Sequence, residues 1–387
     1  MEVYLDHAAT TWCYKSVRDM VVRTMMEDYG NPSSMHRKGV EAEIYVKKAR
    51  EIIARQLKVR EKEILFTSGG TESNNLALAG AAWANRRRGN RIIFSAAEHA
   101  AVKEPVKRLQ ELGFETLQVP VDSQGVLSME ALGEALTPET ILVSVMYVNN
   151  EVGSVQPVEE IAALVHEKVP GALFHVDAIQ ALGKYKICPG RMGIDLLSAS
   201  GHKIHGPKGV GFLYIGGQAK VQPQILGGGQ QGNMRSGTDN VSGIAGLGAA
   251  VEEVYRDLDQ KVGDMYRIKE ALVKGLERLG QTEQVVIHGK PGREGAPHIV
   301  NASFPGIRSE VMLHALEDKG IYVSAGSACS THKRTKNSTL EAMGVEQGLR
   351  DSAIRFSFCE ETGEEEIQYC LEALEDLVPI LKRYARR

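Results

Sequence analysis

The segment "EILFTSGGTESNNLALAGAAWANRRR", residues 63–88, decides the fold class. Its first part, "EILFTSGG", is a short apolar run that ends in two glycines, which is typical of a buried strand followed by a tight turn. The second part, residues 71–88, has the length and composition of a helix. Because a buried strand that leads into a helix is the repeating unit of α/β proteins, the segment predicts a sheet covered by helices.

The same alternation continues along the chain. Further apolar runs that predict strands are "RIIFSA", "GFETLQVP", "TILVSVMYVNN", "ALFHVDAI" and "DLLSASG". Helical stretches such as "PVEEIAALVHEKV" lie between several of them. Strands this apolar, separated by helices, indicate a largely parallel sheet that is buried on both faces.

The C-terminal part of the chain has a different pattern. Residues 241–280 contain few helix breakers and predict a long connecting helix. The residues after it include "PHIVNASFPG", "GIYVSAGSAC" and "SAIRFSF", which indicate a smaller α+β unit. We therefore expect a large domain over residues 15–255 and a small domain over residues 256–387.

Composition excludes several classes of function. A formal net charge of −3 gives no general attraction to nucleic acid or to an anionic membrane. No apolar run approaches the ~20 residues of a membrane span, and the first residues lack the pattern of a signal peptide. The five cysteines are scattered without a C-x-x-C pair, which argues against a disulfide framework or a zinc ribbon. We expect a cytoplasmic enzyme with no membrane association and no direct nucleic-acid binding.

Polar residues follow several of the predicted strands, where ligands bind in an open α/β sheet. Residues 68–71, "SGGT", lie between a strand and a helix, where backbone N–H groups can hold an anion. Asp177 ends another strand, and Gln180 follows it; a buried carboxylate is costly unless a cation meets it. Lys203 follows a third strand, so burial can depress its pKa and make it a nucleophile. Each feature alone also has a structural explanation as a helix cap or a turn.

Two further strand ends carry candidate residues. His99 follows "RIIF", where an imidazole can stack on a planar ring or move a proton, although a lone histidine is more often structural. Asn150 and its neighbours can hydrogen-bond a substrate or cofactor. The spacing of His202 and His205 is interrupted by glycine and proline, so it is not a zinc-binding helix signature and we expect no metal. Together, an anion site, an aspartate, a lysine and a histidine are the parts of a pyridoxal phosphate site.

A series of short motifs resembles the cysteine desulfurases, which are pyridoxal phosphate enzymes of the class V aminotransferase group. In order they are "LDHAATT", "NPSSMHRKG", "FTSGGTESNN", "EHAAV", "NNEVGSVQP", "HVDAIQALGK", "SGHKIHGPKG", "MRSGT", "GSACS" and "IRFSF". The resemblance implies fold type I, with a mostly parallel seven-stranded sheet between helices and a smaller α+β C-terminal domain. It also implies a homodimer, with residues 1–14 packed against the small domain.

The resemblance assigns cofactor-binding roles to the residues at the strand ends. Lys203 would bind pyridoxal 5'-phosphate covalently, and Asp177 would pair with its ring nitrogen. Gln180 would bond the ring hydroxyl, while His99 would stack on the ring and assist proton transfers. The phosphate would be held by Gly70, Thr71, Ser200 and His202, with Thr238 of the partner subunit.

The resemblance also assigns the substrate site. Arg355, helped by Asn150, would bind the carboxylate of L-cysteine in the bidentate manner that a guanidinium allows. Cys329 lies in "SAGSACSTHKRTKNS", a loop of about residues 324–339 that we expect to be mobile. Its thiolate would take the substrate sulfur as a persulfide and release L-alanine. We hypothesise that the basic residues 332–334 lower the pKa of this thiol.

The sulfur acceptor and some rival activities stay open. A protein acceptor, either an iron–sulfur scaffold or a tRNA-thiolating enzyme, would receive the persulfide, and the basic run after Cys329 faces it or is simply solvated. A selenocysteine lyase needs the same cofactor residues without depending on a loop cysteine. Another class V aminotransferase is less favoured, because a loop thiol has no role in transamination. An inactive binding protein is disfavoured by the intact set of cofactor residues.

Overall fold

A computed structural model describes residues 1–325 and 339–385. Cys329 and the basic residues 332–334 therefore lie outside the described residues. The strands are β1 (Val3–Tyr4), β2 (Ile64–Thr67), β3 (Arg91–Ser95), β4 (Glu115–Val119), β5 (Thr140–Met146), β6 (Leu173–Asp177), β7 (Leu196–Ser200), β8 (Gly211–Ile215), β9 (Val286–His288), β10 (Ile299–Ser303), β11 (Ile321–Tyr322), β12 (Ser324–Ala325) and β13 (Ala353–Ser357).

Helices cover both faces of the larger sheet and one side of the smaller one. They are α1 (Lys15–Met26), α2 (Arg37–Leu57), α3 (Gly70–Asn85), α4 (Ala100–Glu111), α5 (Met129–Ala135), α6 (Val158–Lys168), α7 (Val241–Tyr255), α8 (Leu258–Glu283), α9 (Ser309–Glu317), α10 (Thr339–Ala342), α11 (Gln347–Arg350) and α12 (Glu364–Ala385). Short 3₁₀ turns span Glu61–Glu63, Gly201–Lys203 and Gln231–Asn233. None of the helices in the described part of the chain is long and apolar enough to cross a membrane.

The large sheet has seven strands in the order β2-β8-β7-β6-β5-β3-β4. All neighbouring pairs are parallel except the two made by β8, which runs antiparallel to both β2 and β7. Every residue of β5, β6 and β7 is buried, because helices cover both faces of the sheet. The expected fold class, α/β with a mostly parallel seven-stranded sheet, is confirmed. This order places the carboxyl ends of β6 and β7 side by side.

The predicted single connecting helix is wrong in one respect. The chain forms two helices, α7 and α8, which are separated at Arg256 and Asp257. Asp257 has a φ of 54°, in the left-handed region that breaks a helix and that aspartate tolerates better than most residues.

The small sheet is antiparallel, in the order β12-β13-β10-β9. Its core contains apolar residues of α8, α9 and α12, together with Val3 and Leu5 of the N-terminal segment. The N-terminal strand β1 pairs with β11 in parallel, and Asp6 bridges to Ser357 at the end of β13. The N-terminal segment is thus held by the small sheet while its next residues, Ala8 and Ala9, reach the large one.

Candidate active site

Asp177 is the last residue of β6 and is 1% exposed. The side-chain amide of Asn74, one turn into α3, donates to one of its carboxylate oxygens at 2.7 Å. The backbone N–H of Ile179 donates to the other at 3.0 Å. Burial raises the pKa of Asp177, while these hydrogen bonds and the charges of His99 and Lys203 oppose the rise. A cationic group bound beside Asp177 would therefore stabilise the charged form of this buried carboxylate.

Lys203 ends the 3₁₀ turn that directly follows β7. Its ε-amine donates to the backbone carbonyls of Ala8 and Ala9, both at 2.6 Å. Its charge acts on the pKa of both Asp177 and His99, so the three groups lie close enough to interact. The strand order explains this, because β6 and β7 are neighbours and their carboxyl ends meet at one edge of the sheet.

His99 is the N-cap of α4, and its Nδ1 accepts a hydrogen bond from the backbone N–H of Ala101 at 3.1 Å. In the neutral ring this leaves the proton on Nε2. Although the residue is exposed, protein packed around the ring lowers its pKa by desolvation, and the charge of Lys203 acts in the same direction. The imidazole is therefore neutral near neutral pH.

A cavity of about 440 Å³ lies at the N-terminus of α3. It is lined by Ala9, Thr10, Ser68, Gly69, Gly70, Thr71, Glu72, Ser200, His202, Lys208 and Gly209. The first N–H groups of a helix have no partner within it and favour an anion. Gly69 has a φ of 147°, which a side chain would strain, and a Cβ on Gly70 would meet Ile179 Cδ1 at 2.1 Å. Backbone, hydroxyl and lysine groups thus surround a space suited to a phosphate.

Several side chains in the cavity wall are held by hydrogen bonds and an ion pair. Glu72 of α3 pairs with Arg235 at 2.8 Å and accepts a hydrogen bond from the Ser68 N–H, also at 2.8 Å. His202 contacts the Thr10 hydroxyl through Nδ1 at 3.2 Å, and burial lowers its pKa to about 4. His202 therefore acts as a neutral hydrogen-bonding group at the cavity wall.

Gln180 is buried beside the lysine site. Its amide nitrogen donates to the Ala8 carbonyl at 2.9 Å, and its oxygen contacts Nε2 of His298 at 3.2 Å. The Ala8 carbonyl therefore accepts from both Gln180 and Lys203. Gln180 thus lies beside Lys203 and is bonded to the N-terminal segment.

Arg355 lies in β13 and is 5% exposed. One of its terminal nitrogens contacts Asp6 at 2.7 Å, and the other donates to the backbone carbonyl of Asn150 at 2.9 Å. Its Nε is buried without a hydrogen-bond partner. Asn150 thus contacts Arg355 through its main chain, and its role toward the substrate stays a prediction.

One end of the segment that carries Cys329 pairs with Arg355, and the other end is bonded to the residues on either side of Asn150. Ser324 pairs directly with Arg355 in the small sheet. Thr339 is held on the other side, where its hydroxyl accepts from the side-chain amide of Asn149 at 2.9 Å and its N–H donates to Glu151 at 3.2 Å. Asn149 and Glu151 therefore hydrogen-bond Thr339, at the end of the segment, and these groups are not directed at a ligand.

The structure brings together the predicted cofactor residues of the large sheet: Gly70, Thr71, His99, Asp177, Gln180, Ser200, His202 and Lys203. Thr238 is exposed and is not among the residues that line the cavity of its own chain. Sequence reasoning missed the carbonyls of Ala8 and Ala9, the amide of Asn74 and the carboxylate of Asp6. Asn74 could have been predicted from the sequence, because it lies four residues after Gly70 and therefore on the same face of α3.

The aminotransferase class-V family model matches residues 3–370 of the chain. A protein of Dictyoglomus turgidum named "Cysteine desulfurase IscS" is 39% identical over 381 residues, which cover 98% of this chain and 95% of that protein. A Bacillus subtilis protein named "Putative cysteine desulfurase IscS 1" is 40% identical over 377 residues, covering 97% and 98%. A solved structure described as a NIFS-like protein superposes with a TM-score of 0.92 at 39% identity, covering 98% of this chain and all of that one. The chain therefore belongs to the aminotransferase class-V family and, within it, to the cysteine desulfurases, which depend on pyridoxal phosphate.

Proposed function

We propose that the chain removes sulfur from L-cysteine with pyridoxal phosphate bound at the edge of the large sheet, and that Cys329 receives the sulfur. The observation that carries the proposal is the position of Arg355. It pairs with Ser324, at one end of the segment containing Cys329, and contacts Asn150, which follows β5 at the carboxyl edge where the cofactor residues lie.

The side chains at the sheet edge fit the chemistry of pyridoxal phosphate. The α3 N-terminus with Ser200 and His202 suits its phosphate, and the buried carboxylate of Asp177 suits a protonated ring nitrogen. Lys203 would hold the cofactor through its ε-amine. When bound, the cofactor supplies an electron sink that weakens the bonds at the α-carbon of the substrate.

The chain's own residues then have distinct tasks. Arg355 would bind the substrate carboxylate through its planar guanidinium. His99 would stack on the ring and move a proton through Nε2, because its Nδ1 accepts from Ala101. Asp177, fixed by two hydrogen bonds, would keep a proton on the ring nitrogen.

Cys329 would complete the transfer. Its thiolate forms a bond to the substrate sulfur, the carbon–sulfur bond breaks, and the carbon takes a proton to give L-alanine. Cys329 lies four residues after Ala325, and four residues reach at most about 14 Å. The chain thus ties this thiol within that distance of Ala325, whose neighbour Ser324 pairs with Arg355, and this supports the assignment.

A homodimer is part of the proposal. Large apolar side chains on α1, on α2 and between them are exposed in the single chain: Val22, Met25, Met26, Tyr29, Met35, Val40 and Ile44. Several exposed large apolar side chains on neighbouring helices are typical of an interaction site. Thr238 is exposed and does not line the cavity of its own chain, which supports a contribution of Thr238 to the partner subunit's phosphate site.

We propose a large domain over residues 15–255 and a small domain over 256–387, with residues 1–14 packed on the small one, in line with the separate hydrophobic clusters. We further propose a cytoplasmic location and a protein acceptor for the persulfide in iron–sulfur cluster assembly or tRNA thiolation. Selenocysteine lyase activity is the alternative, because the cofactor residues are the same.

The test is to supply L-cysteine to the purified yellow holoenzyme and measure alanine, sulfide and a persulfide on the Cys329 peptide. We expect Cys329→Ala to abolish sulfur release, while Cys13→Ala, which removes an exposed free thiol, leaves it unchanged. Sulfur release by Cys329→Ala at the wild-type rate would show that the persulfide assignment is wrong. If Cys329→Ala lost its activity on cysteine but still cleaved selenocysteine, the selenocysteine lyase alternative would be favoured.

A further inference from the structure

A cluster of buried metal-ligating side chains lies beneath the active site and takes no part in the proposed reaction. His7, His205 and Cys359 place their donor atoms within 4.8 Å of one another. Their exposures are 4%, 0% and 1%. They come from three parts of the chain, since His7 precedes Ala8, His205 follows Lys203 by two residues and Cys359 follows β13.

Some imidazole nitrogens of this cluster lack the partners that buried polar groups normally have. In the described part of the chain, Nε2 of His205 has no hydrogen-bond partner, and the ring of His7 has at most a weak contact with the backbone of Tyr4. Nδ1 of His205 lies 3.0 Å from the Trp12 carbonyl, which it can bond only as an N–H donor. This leaves a lone pair on Nε2, facing the cluster, and a ligating histidine is usually oriented in this way.

A fourth donor is within reach. Oε2 of Glu360 lies 3.8 Å from Nε2 of His205. Its other oxygen accepts a hydrogen bond from the Tyr14 hydroxyl, which fixes the carboxylate with Oε2 toward the cluster. Two imidazoles, a thiolate and a carboxylate form a donor set that suits tetrahedral zinc. Bond lengths of about 2.0–2.3 Å would require each donor to move inward by roughly half an ångström.

The surrounding charges determine which cation fits. Lys261 lies 3.9 Å from Glu360, and the buried Lys184 also interacts with it. These ammonium groups repel a cation that is bound mainly by its charge. Mg²⁺ and Ca²⁺ bind in that way, through oxygen ligands, so the cluster does not suit them. A thiophilic cation gains its affinity from bonds to sulfur and nitrogen, and the thiolate and carboxylate neutralise a double charge.

We propose that His7, His205 and Cys359, with Glu360 as the fourth ligand, form a structural site for Zn²⁺. On binding, a zinc–sulfur bond forms, the S–H bond of Cys359 breaks, and its proton is released to solvent. The ion would tie the N-terminal segment, the turn that carries Lys203 and the end of β13 to one point. Zinc would thereby fix the Ala8 and Ala9 carbonyls that hold Lys203.

The test is to expose the holoenzyme to Zn²⁺ or Co²⁺, remove unbound metal and measure the metal content by mass spectrometry. All proteins carry Cys329→Ser, so that the loop thiol cannot contribute. We expect about one equivalent per chain, with Co²⁺ giving the visible bands of tetrahedral coordination and a thiolate charge-transfer band. Cys359→Ser should lose these signals, while Cys370→Ser, which changes another buried cysteine, should retain them.

A second measurement covers the case in which Cys359→Ser does not fold. Zn²⁺ at roughly a hundredfold excess over its dissociation constant should raise the Tm of the parent protein by roughly 3–5 °C, and Mg²⁺ should not. His7→Asn, which keeps a polar side chain of similar size, should abolish the shift. Absence of stoichiometric metal in the parent, or equal metal in Cys359→Ser, would overturn the proposal.

Discussion

The cofactor side and the substrate side of the site are assembled differently. On the cofactor side, α3, β6, β7 and α4 are held by one sheet, and Asp177 and Lys203 follow neighbouring strands. On the substrate side, Arg355 comes from the small sheet and meets Asn150 of the large sheet and Asp6 of the N-terminal segment. The first region is organised by one sheet, whereas the second exists only where three parts of the chain meet.

This difference separates the expected effects of mutation. A change on the cofactor side should alter retention of pyridoxal phosphate, because the groups that would bind the cofactor are held by the large sheet whether or not substrate is present. A change on the substrate side should alter the KM for cysteine and leave cofactor binding intact. Cofactor retention and the KM for cysteine therefore report on the two sides separately.

The largest effect is expected for Lys203→Ala. Removing the ε-amine should lower kcat by about 10²- to 10⁴-fold and allow the cofactor to dissociate during gel filtration. Cysteine turnover and the absorbance of the eluted protein are the measurements. Lys186→Ala is the control, since Lys186 is an exposed lysine of the same sheet region that pairs with Asp259. Retention of the chromophore by Lys203→Ala at wild-type levels would contradict the assignment.

Arg355→Lys should act on the substrate side. The ammonium cannot bind a carboxylate in the bidentate manner, so kcat/KM should fall about 10- to 100-fold, mostly through KM. Steady-state kinetics and a cofactor titration measure the two properties separately. Arg350→Lys changes another arginine of the small unit, one that pairs with Glu341, and should have little effect. If Arg355→Lys instead released the cofactor, the two sides would not be independent.

Much of the fold and of the cofactor side could be predicted from the sequence. Apolar runs separated by helices indicate a parallel sheet, and its ligand residues follow strands such as those that end at Asp177 and Ser200. The helix break at Asp257 was missed, because only its left-handed backbone conformation marks it.

The contacts made by the N-terminal segment could not be predicted. Ala8 and Ala9 act through main-chain carbonyls, which leave no trace in the side-chain pattern. His7, His205 and Cys359 are separated by more than 150 residues at each step, so no local spacing signals their cluster. Both depend on the packing of the small unit against the large sheet.

Asn74→Ala should have a moderate effect, confined to the cofactor side. Its amide donates to Asp177, and loss of that bond lets burial raise the pKa of the carboxyl further. The ring nitrogen then has a poorer partner, so the dissociation constant of pyridoxal phosphate should rise about tenfold. Asn75→Ala is a matched control, because its exposed side chain bonds only the Thr71 carbonyl. Equal cofactor affinity in the two variants would rule out this role for Asn74.

The smallest effect near neutral pH is expected for His175→Gln, which probes the interior of the large sheet below Asp177. The ring lies between the hydroxyls of Ser144 and Ser198, and burial lowers its pKa to about 3. In the unfolded chain the imidazole has a pKa of about 6.5, so as the pH falls it takes up a proton that the folded ring does not. The contribution of His175 to the free energy of unfolding is therefore complete above about pH 6.5 and declines as the pH falls toward 3. Glutamine does not titrate, so the free energy of unfolding of the variant should fall less steeply in acid, by about 1.4 kcal/mol per pH unit between about pH 6 and 4. Urea unfolding at a series of pH values measures the slope, and parallel slopes in the two proteins would mean that His175 is protonated in the folded sheet.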